Sequence, residues 1–317
     1  MISGIEKNRQ IDQDLQSLIL PVLYFDIFSY PLTREEMLQY SPGQSLSGPE
    51  IQSLVDQLVT RRILFCHRGY YSLVDRQEWA DQREENQQRA QRFLVKAKNM
   101  SRLIARFPFI RAVFVSGSLS KNTMPRDGDI DYFIITRRGG LWIARTLLIL
   151  YKKIFLFNSH RYFCVNYFVD EDHLKIEEQN IYTATELMTL LPFSGREYYQ
   201  TFCEANPWAR SFYPNLPARN TESVPVYRGT ILSRTFERLL SGAMGHSLNR
   251  FLMNLTVGYW RRKFSHYDPA TFERSFQSTP FLSRHHPVDF QDKVIRAYRD
   301  RIRKFEENHG LSLHVKS

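Results

Sequence analysis

The chain has few cysteines, and their spacing excludes two common kinds of site. Cys66, Cys164 and Cys203 are odd in number and far apart in the 317-residue sequence. This pattern is typical of neither a zinc site nor a disulfide framework. We therefore expect each cysteine to be a small core residue. A chain without disulfides fits a reducing compartment, so a cytoplasmic protein is expected.

Long apolar runs are also missing. No uninterrupted stretch reaches the roughly 18 residues that indicate a membrane-spanning helix. The nearest, residues 141–151, is interrupted by Arg145 and followed by Lys152 and Lys153, which favours a buried helix and predicts no membrane span. The first residues lack a basic segment followed by a long apolar one, so no secretory signal is expected.

Acidic residues are outnumbered. The sequence has 33 of them against 43 lysines and arginines, which gives a formal net charge of +10. The excess favours an anionic partner, such as a nucleoside triphosphate (NTP), a nucleic acid or a membrane surface. Much of this excess of positive charge lies in the C-terminal part of the chain. The segment from Arg210 to Lys263 contains nine basic residues and only two acidic ones, Glu222 and Glu237. Charge alone does not choose among these partners.

The N-terminal part, residues 1–80, is predicted to be winged-helix-like, because three helices precede a hairpin. Capping-box patterns begin the second helix at Thr33 and the third at Ser47. The third helix carries Glu50 and Asp56 on its polar face, so its charge is roughly balanced and DNA binding is not favoured. Nucleic acid stays open as a partner, beside protein docking and a structural role.

The remaining boundaries follow from composition and periodicity. A polar segment, residues 75–85, is expected to be a linker, and an amphipathic helix from 85 to 107 should lead into the sheet of a core domain, residues 81–175. Residues 176–317 are predicted to form a helical C-terminal domain.

Three helices are predicted within that C-terminal part. A capping box at Thr183 and Glu186 begins the first of them. The second is long and runs from 231 to 264, with a kink near Gly242 or Gly245, and the last runs from 287 to 307.

The most informative stretch joins two apolar runs. The first ends at Gly117 and Ser118, and after a ten-residue spacer Asp129 and Asp131 begin the second. Side chains alternate across a strand, so the two aspartates should share one face with Cα atoms about 6.6 Å apart. Two such carboxylates can hold one Mg²⁺ or bridge two ions, as in sites that clamp both oxygens of an in-line phosphoryl displacement. Asp129 and Asp131 are therefore the candidate metal ligands.

The glycine-serine turn is a candidate phosphate site. Gly117 permits close approach of the backbone to a phosphate. Backbone N–H groups at a helix start attract anions, and the Ser118 hydroxyl can add a hydrogen bond. Ser120 and Lys121 follow in the same turn and loop, where they can meet a triphosphate.

This pattern resembles the nucleotidyltransferase superfamily that includes DNA polymerase β, kanamycin nucleotidyltransferase and the minimal nucleotidyltransferases. Gly117, Ser118, Asp129 and Asp131 match its motif, whereas Ser116 stands where an apolar residue is usual. The resemblance covers residues 85–175. It implies an α+β fold whose core is a mixed β-sheet with flanking helices. It also implies Mg²⁺-dependent transfer of a nucleoside monophosphate from NTP to a hydroxyl acceptor, which the sequence does not identify.

The family pattern places a third carboxylate on a later strand, and here that place falls on Asn166. An amide can offer one oxygen to a metal but cannot take a proton. Three alternatives follow. A base can come from Asp170, Asp172, Glu177 or the substrate, transfer can be slow, or the site can only bind nucleotide. The last alternative predicts a nucleotide sensor with the winged-helix-like part as its output.

Overall fold

A computed structural model describes residues 2–43, 46–285, 290–310 and 312–313, with side chains described from Asp14 onwards. Within those ranges the protein is a mixed α+β structure. Its α-helices are Ile2–Asp26 (α1), Arg34–Gln39 (α2), Gly48–Thr60 (α3), Gln77–Ile104 (α4), Gly117–Ser120 (α5), Leu141–Phe155 (α6), Ile181–Thr189 (α7), Arg196–Ala205 (α8), Ile231–Leu239 (α9), Ala243–Lys263 (α10), Pro269–Ser275 (α11) and Phe290–His309 (α12). Its strands are Leu32–Thr33 (β1), Phe65–His67 (β2), Tyr70–Ser72 (β3), Ile110–Ser116 (β4), Asp131–Thr136 (β5), Cys164–Asp170 (β6), Leu191–Ser194 (β7), Ser278–Thr279 (β8) and Leu282–Arg284 (β9).

The N-terminal part has the predicted helices and hairpin. Helices α1, α2 and α3 precede the antiparallel pair β2–β3, and β1 adds to β3 to complete a three-stranded sheet. Thr33 and Glu36 form a reciprocal capping box at the start of α2, which satisfies two backbone donors at that end. The winged-helix assignment remains a prediction from this order of elements.

A six-stranded sheet lies at the centre, in the order β7-β4-β5-β6-β9-β8. Strands β5 and β6 are parallel and are joined through α6, whereas the other neighbours are antiparallel. The C-terminal part was expected to be helical, yet it contributes β7, β8 and β9. These strands have two to four residues each, too short to show a periodic pattern in the sequence.

The two faces of this sheet pack against different helices. Phe114 and Phe133 face a core shared with α1, α7, α8 and α12. Val113 and Tyr132 face the second core, with side chains from α4 and α6. The first core joins side chains from all three predicted domains, and the boundaries at 80/81 and 175/176 remain predictions.

Three local expectations are corrected by the structure. Residues 77–85 of the expected linker belong to α4, which begins at Gln77. The long helix expected over 231–264 is divided into α9 and α10, because Gly242 adopts a φ of +83°. Helix α7 is capped by Asn180, whose side chain accepts from the Thr183 N–H, and not by a capping box at Thr183.

The final helix, expected over 287–307, is present as α12 from Phe290, while residues 286–289 lie outside the described residues. Among the described residues, no helix combines the length and the apolar character that crossing a membrane requires.

Candidate functional site

The turn after β4 brings Gly117 against Asp131. Ser116, the last residue of β4, pairs across the strands with Asp131, the first residue of β5. Gly117 has a φ of +67°, a region that glycine adopts without steric cost. A Cβ placed there would collide with Oδ2 of Asp131. The glycine is therefore required both by the backbone conformation and by the close approach of the carboxylate.

Asp129 and Asp131 lie together, although β5 begins only at Asp131 and Asp129 belongs to the loop before it. One oxygen of each, with Sγ of Cys164, forms a group of three atoms that lie within 4.8 Å of one another. Cys164 belongs to this group because it is the cross-strand partner of Asp131. Asp131 lines a large cavity, whereas Asp129 is not among the lining residues and reaches the cluster from beside it.

The electrostatics of the cluster favour binding of a cation. Burial, followed by the charges of Asp129 and Glu186, raises the pKa of Asp131 to about 7. Burial and the charges of Asp131 and Asp129 also raise the pKa of the Cys164 thiol, so Cys164 remains a protonated thiol. A divalent cation would relieve the repulsion between these carboxylates.

Asn166 lies beside Asp131, at the place where the family pattern puts a third carboxylate. Its Nδ2 donates to Oδ1 of Asp131 at 3.3 Å and to Sγ of Cys164 at 2.9 Å. The pairing register of β5 with β6 shifts at this point, because Tyr132 pairs with Val165 and the next residue pairs with Tyr167. Asn166 is therefore the extra residue of a β-bulge, a feature that re-aims side chains beside active sites.

The bulge corrects the predicted alternation along β6. Regular alternation along an extended strand would place Val165 and Tyr167 on one face. In the structure Val165 belongs to the second core, whereas Tyr167 packs against the first and stacks on Phe133 with ring centroids 4.6 Å apart. Asn166 and Tyr167 consequently both line the cavity.

A third carboxylate is present, but it comes from a helix. Oε2 of Glu186 in α7 accepts a hydrogen bond from the Gly117 N–H at 3.1 Å. Its Oε1 accepts from Nζ of Lys121 at 2.8 Å. The sequence assigned Glu186 to a helix cap, since it stands three residues after Thr183. The capping-box pattern accounted for Glu186, so nothing in the sequence suggested that it contacts the glycine-serine turn. The packing of α7 against β4 shows this contact.

The predicted phosphate-binding residues divide into two groups. Ser118 and Lys121 line the cavity with Gly117, and Nζ of Lys121 also donates to the Gly117 carbonyl at 3.0 Å. Ser120 is buried, and its hydroxyl donates to the same carbonyl at 2.8 Å. Ser120 therefore supports the turn from behind and does not reach the cavity.

The proposed substitute bases lie elsewhere. Asp170 pairs with Thr136 at the far end of β5, and its Oδ1 contacts Nδ1 of His173 at 2.6 Å. Asp172 lies within 3.6 Å of Arg138, and Glu177 faces Lys175 on the surface. None of the three lines the cavity, so Glu186 is the carboxylate that joins the predicted pair.

The cavity beside these residues has a volume of about 690 Å³, within the range of small-molecule sites. One wall is the cluster just described. The other walls are largely aromatic and come from the N-terminal part, the sheet and the C-terminal helices, with the rings of Tyr24, Phe25, Phe28, Tyr30, Phe133, Tyr167, Tyr182 and Phe290.

Three buried polar groups in the cavity wall lack a partner among the described residues: Nε of Arg83, Nε of Arg284 and Oγ of Ser275. All three are hydrogen-bond donors. Arg284 stands opposite Tyr167 on the neighbouring strand β9, and its other nitrogens bind Glu178 and a backbone carbonyl. Buried donors without partners are costly, and these three atoms are closed off from solvent, so the cost falls on the packing of the cavity wall.

The N-terminal part takes part in this cavity. The hydroxyl of Tyr30 donates to the Lys121 carbonyl at 2.8 Å. Arg83 donates to Oε1 of Glu36 at 2.8 Å and to the Asn122 carbonyl at 3.1 Å, with its guanidinium 3.9 Å from the centre of the Tyr30 ring. The capping residue of α2 is therefore connected to the loop that follows the glycine-serine turn.

Taken together, the arrangement offers two carboxylates suited to a cation, an adjacent pair of anion donors and a cavity of the size of an organic ligand. Comparisons with protein-family models, with curated proteins and with solved structures find no match for this chain.

Proposed function

We propose that this protein is a metal-dependent nucleotidyltransferase, which moves a nucleoside monophosphate from NTP to a hydroxyl acceptor. One observation carries the proposal. Gly117 contacts the carboxylate of Asp131 on one side, while its N–H and the Lys121 ammonium bind the carboxylate of Glu186 on the other. An anion site thus lies directly beside a pair of metal-type carboxylates, which is the juxtaposition that nucleotide chemistry needs.

The donor set fits Mg²⁺, which favours oxygen ligands from one or two carboxylates plus substrate phosphates. Asp129 and Asp131 would hold the ion, or two ions, and rotation of the Asn166 amide would turn its carbonyl oxygen towards them. The protonated Cys164 thiol is a poor ligand for so hard a cation. When bound, the metal supplies neutralisation of the negative charge that develops on the transferring phosphate.

Glu186 occupies the donors that a phosphate would need. A carboxylate that accepts from the Gly117 N–H and from Lys121 supports the proposal that these groups bind an anion. The triphosphate of an incoming NTP, with more charge and more acceptor oxygens, replaces Glu186 there. The released carboxylate stays in the same cavity as Asp131, where the family pattern requires its third acid.

The reaction follows from this exchange. The acceptor hydroxyl oxygen attacks the α-phosphorus, so a new O–P bond forms while the bond from that phosphorus to the bridging oxygen breaks. Pyrophosphate leaves with the bonding electron pair. Asn166 cannot take the hydroxyl proton, so Glu186 receives it. Such general-base assistance contributes roughly 10²–10⁴-fold to the rate.

The acceptor binds at the end of the cavity formed by β6 and β9. Arg284 is two strands away from Asp131, a distance of about 10 Å at the usual strand spacing. Ser275 and Arg284 line this end of the cavity together with the rings of Tyr167 and Tyr182, so it combines polar side chains with aromatic surface. A small hydroxylated molecule fits this end, because a cavity of about 690 Å³ has the size of small-molecule sites.

The test is release of pyrophosphate. Purified protein is incubated with Mg²⁺, each NTP in turn and a panel of hydroxylated small molecules. The proposal expects release that requires Mg²⁺ and falls by about 10²-fold or more in Asp129→Ala and Asp131→Ala, since charge stabilisation is lost. Glu177→Ala, a change of an exposed carboxylate outside the cavity, serves as the control. Release that persists in both aspartate variants would rule the proposal out.

A second function is favoured by the contacts of Tyr30 with the Lys121 carbonyl and of Arg83 with Glu36. These contacts connect the glycine-serine turn to the N-terminal part, so a nucleotide that moves the turn also moves the N-terminal part. In this second function the site only binds nucleotide. Asn166, which cannot take a proton, accounts for the absence of turnover. Tight binding of NTP with Mg²⁺ and no pyrophosphate release with any acceptor would favour the sensor over the enzyme.

A further inference from the structure

Helix α10 carries a second apolar surface that faces solvent. Its buried side chains, with Asn249 and Trp260 among them, lie on one side of the helix. On the exposed surface next to this side, large apolar residues recur at intervals of seven, four and four, which keeps them on one stripe of a helix. They are Met244, Phe251, Leu255 and Tyr259, exposed by 62%, 60%, 60% and 59%.

The charge around this stripe has one sign. No aspartate or glutamate occurs between Glu237 and Asp268, a segment that contains five lysines and arginines. Arg262 continues the stripe, seven residues after Leu255, while Arg250 and Arg261 are exposed on the adjoining side of the helix. The exposed surface of α10 therefore combines an apolar stripe with cationic groups.

The helix that packs against α10 has the same character. No carboxylate occurs from Tyr132 to Val169, a segment that includes all of α6. Helix α6 exposes Leu150, Ile154 and Phe155, together with Lys153. Two adjoining helices therefore combine exposed apolar side chains with an excess of positive charge and no negative charge of their own.

We propose that the outward face of α10 docks on the surface of an anionic phospholipid bilayer. Large apolar side chains on such a helix enter the boundary between headgroups and acyl chains, while the flanking arginines meet lipid phosphates and carboxylates. The helix lies along the interface and does not cross it. This inference is independent of the proposed nucleotide chemistry, because α10 contributes no residue to the cavity wall.

Two other occupants fit the surface less well. A nucleic acid would satisfy the arginines but would leave Leu255 and Met244 without an apolar environment, since sequence-independent binders present basic and stacking groups. A second copy of the chain would bury the apolar stripe, but a two-fold axis sets each patch against itself. The arginines of α10 would then find no carboxylate on the partner's α10, because that helix carries none.

The test is co-sedimentation of the full chain with vesicles, one set of phosphatidylcholine alone and one of phosphatidylcholine with phosphatidylserine. The proposal expects binding to the anionic vesicles, lost by about tenfold or more in the double variant Phe251→Ser, Leu255→Ser, because that change removes the inserting side chains. Val95→Ser is the matched control, since Val95 is an exposed apolar residue, at 64%, on the distant helix α4. It should bind as the unchanged protein does.

A second variant separates charge from apolar insertion. Arg261→Gln with Arg262→Gln should weaken binding to anionic vesicles and leave the weak binding to neutral ones unchanged. Several outcomes would overturn the proposal: no sedimentation with anionic vesicles, equal binding by the Phe251 and Leu255 variant, or a wild-type dimer that this variant converts to monomers. Salt-sensitive binding to RNA or DNA in place of vesicles would overturn it as well.

Discussion

The carboxylate of Glu186 accepts a hydrogen bond from the backbone N–H of Gly117 at 3.1 Å. A second bond, from the Lys121 ammonium at 2.8 Å, fixes the same side chain. These two donors are the ones that the glycine-serine pattern assigns to phosphate. Nucleotide and Glu186 therefore compete for one anion site, and this competition makes the role of Glu186 measurable.

We expect Glu186→Gln to separate binding from turnover. Loss of the charge removes both the competitor and a repulsive carboxylate, so the Kd for NTP with Mg²⁺ should fall by about tenfold, equivalent to roughly 1.4 kcal/mol. Turnover should decrease by about 10²-fold because the proton acceptor is gone. Calorimetric titration measures the first effect and pyrophosphate release the second. Glu177→Gln is the control and should change neither, whereas an unaltered Kd in Glu186→Gln would argue against competition.

Gly117→Ala should disrupt the site through the methyl group. The new Cβ would meet Oδ2 of Asp131 in a backbone of positive φ. Gly69 provides a matched control, because its φ is +80° but a Cβ there would meet open space. Gly69→Ala should cost about 1 kcal/mol from backbone strain alone and leave nucleotide binding unchanged. Gly117→Ala should cost more in the free energy of unfolding and should also lose Mg²⁺-dependent binding.

Asp131 should make the protein without metal less stable as the pH rises. Its pKa is raised from the ordinary value of 3.8 to about 7, so the folded protein keeps a proton that the unfolded chain has released. The stabilisation is therefore full below about pH 4 and is lost as the pH rises through about 7. A pKa difference of one between the folded and unfolded states corresponds to about 1.4 kcal/mol. The contribution of Asp131 to the free energy of unfolding therefore changes by at most about 4 kcal/mol over this pH range.

Asp131→Asn should flatten this dependence. At a pH above about 7 and without metal, the variant should melt at a higher temperature than the wild type, and the difference should shrink on acidification. Mg²⁺ should raise the melting temperature of the wild type only. The exposed Asp172 provides the control variant Asp172→Asn. If wild type and Asp131→Asn show parallel curves, Asp131 is not a buried carboxylate of raised pKa.

A second buried carboxylate should matter for stability and not for chemistry. Glu237 of α9 accepts from Arg111 at 2.9 Å and from the Phe109 N–H at 2.7 Å, away from the cavity wall. Glu237→Ala leaves Arg111 buried without its main partner, and the expected loss is about 3–5 kcal/mol. The exposed pair of Asp300 with Arg303 gives the control, since Asp300→Asn should cost less than about 1 kcal/mol.

The sequence was sufficient where the pattern was local. The order of strand, Gly117-Ser118 turn and Asp129-x-Asp131 strand predicted which side chains meet, because strand alternation and a short connection leave few arrangements. The position of Asn166 beside Asp131 came from the resemblance to a known family and not from a local pattern. The α+β class came from the same resemblance, and the mixed sheet with flanking helices agrees with it.

The remainder depended on contacts that distant residues make. The bulge at Asn166 has no local signature, so the sequence could not show that Tyr167 changes face. Glu186 matched a helix cap, and only the packing of α7 beside the turn gives it a role at the site. Strands β7, β8 and β9 are too short to be recognised before the sheet that pairs them is known.

The most direct test of the account is a crystal structure with a non-hydrolysable NTP analogue and Mg²⁺. The account predicts metal density between Asp129 and Asp131, phosphate oxygens on the Gly117 N–H and on Lys121, and Glu186 turned away from both donors towards the acceptor end of the cavity. A structure in which Glu186 keeps its bonds to Gly117 and Lys121, with the analogue bound elsewhere or not at all, would contradict it.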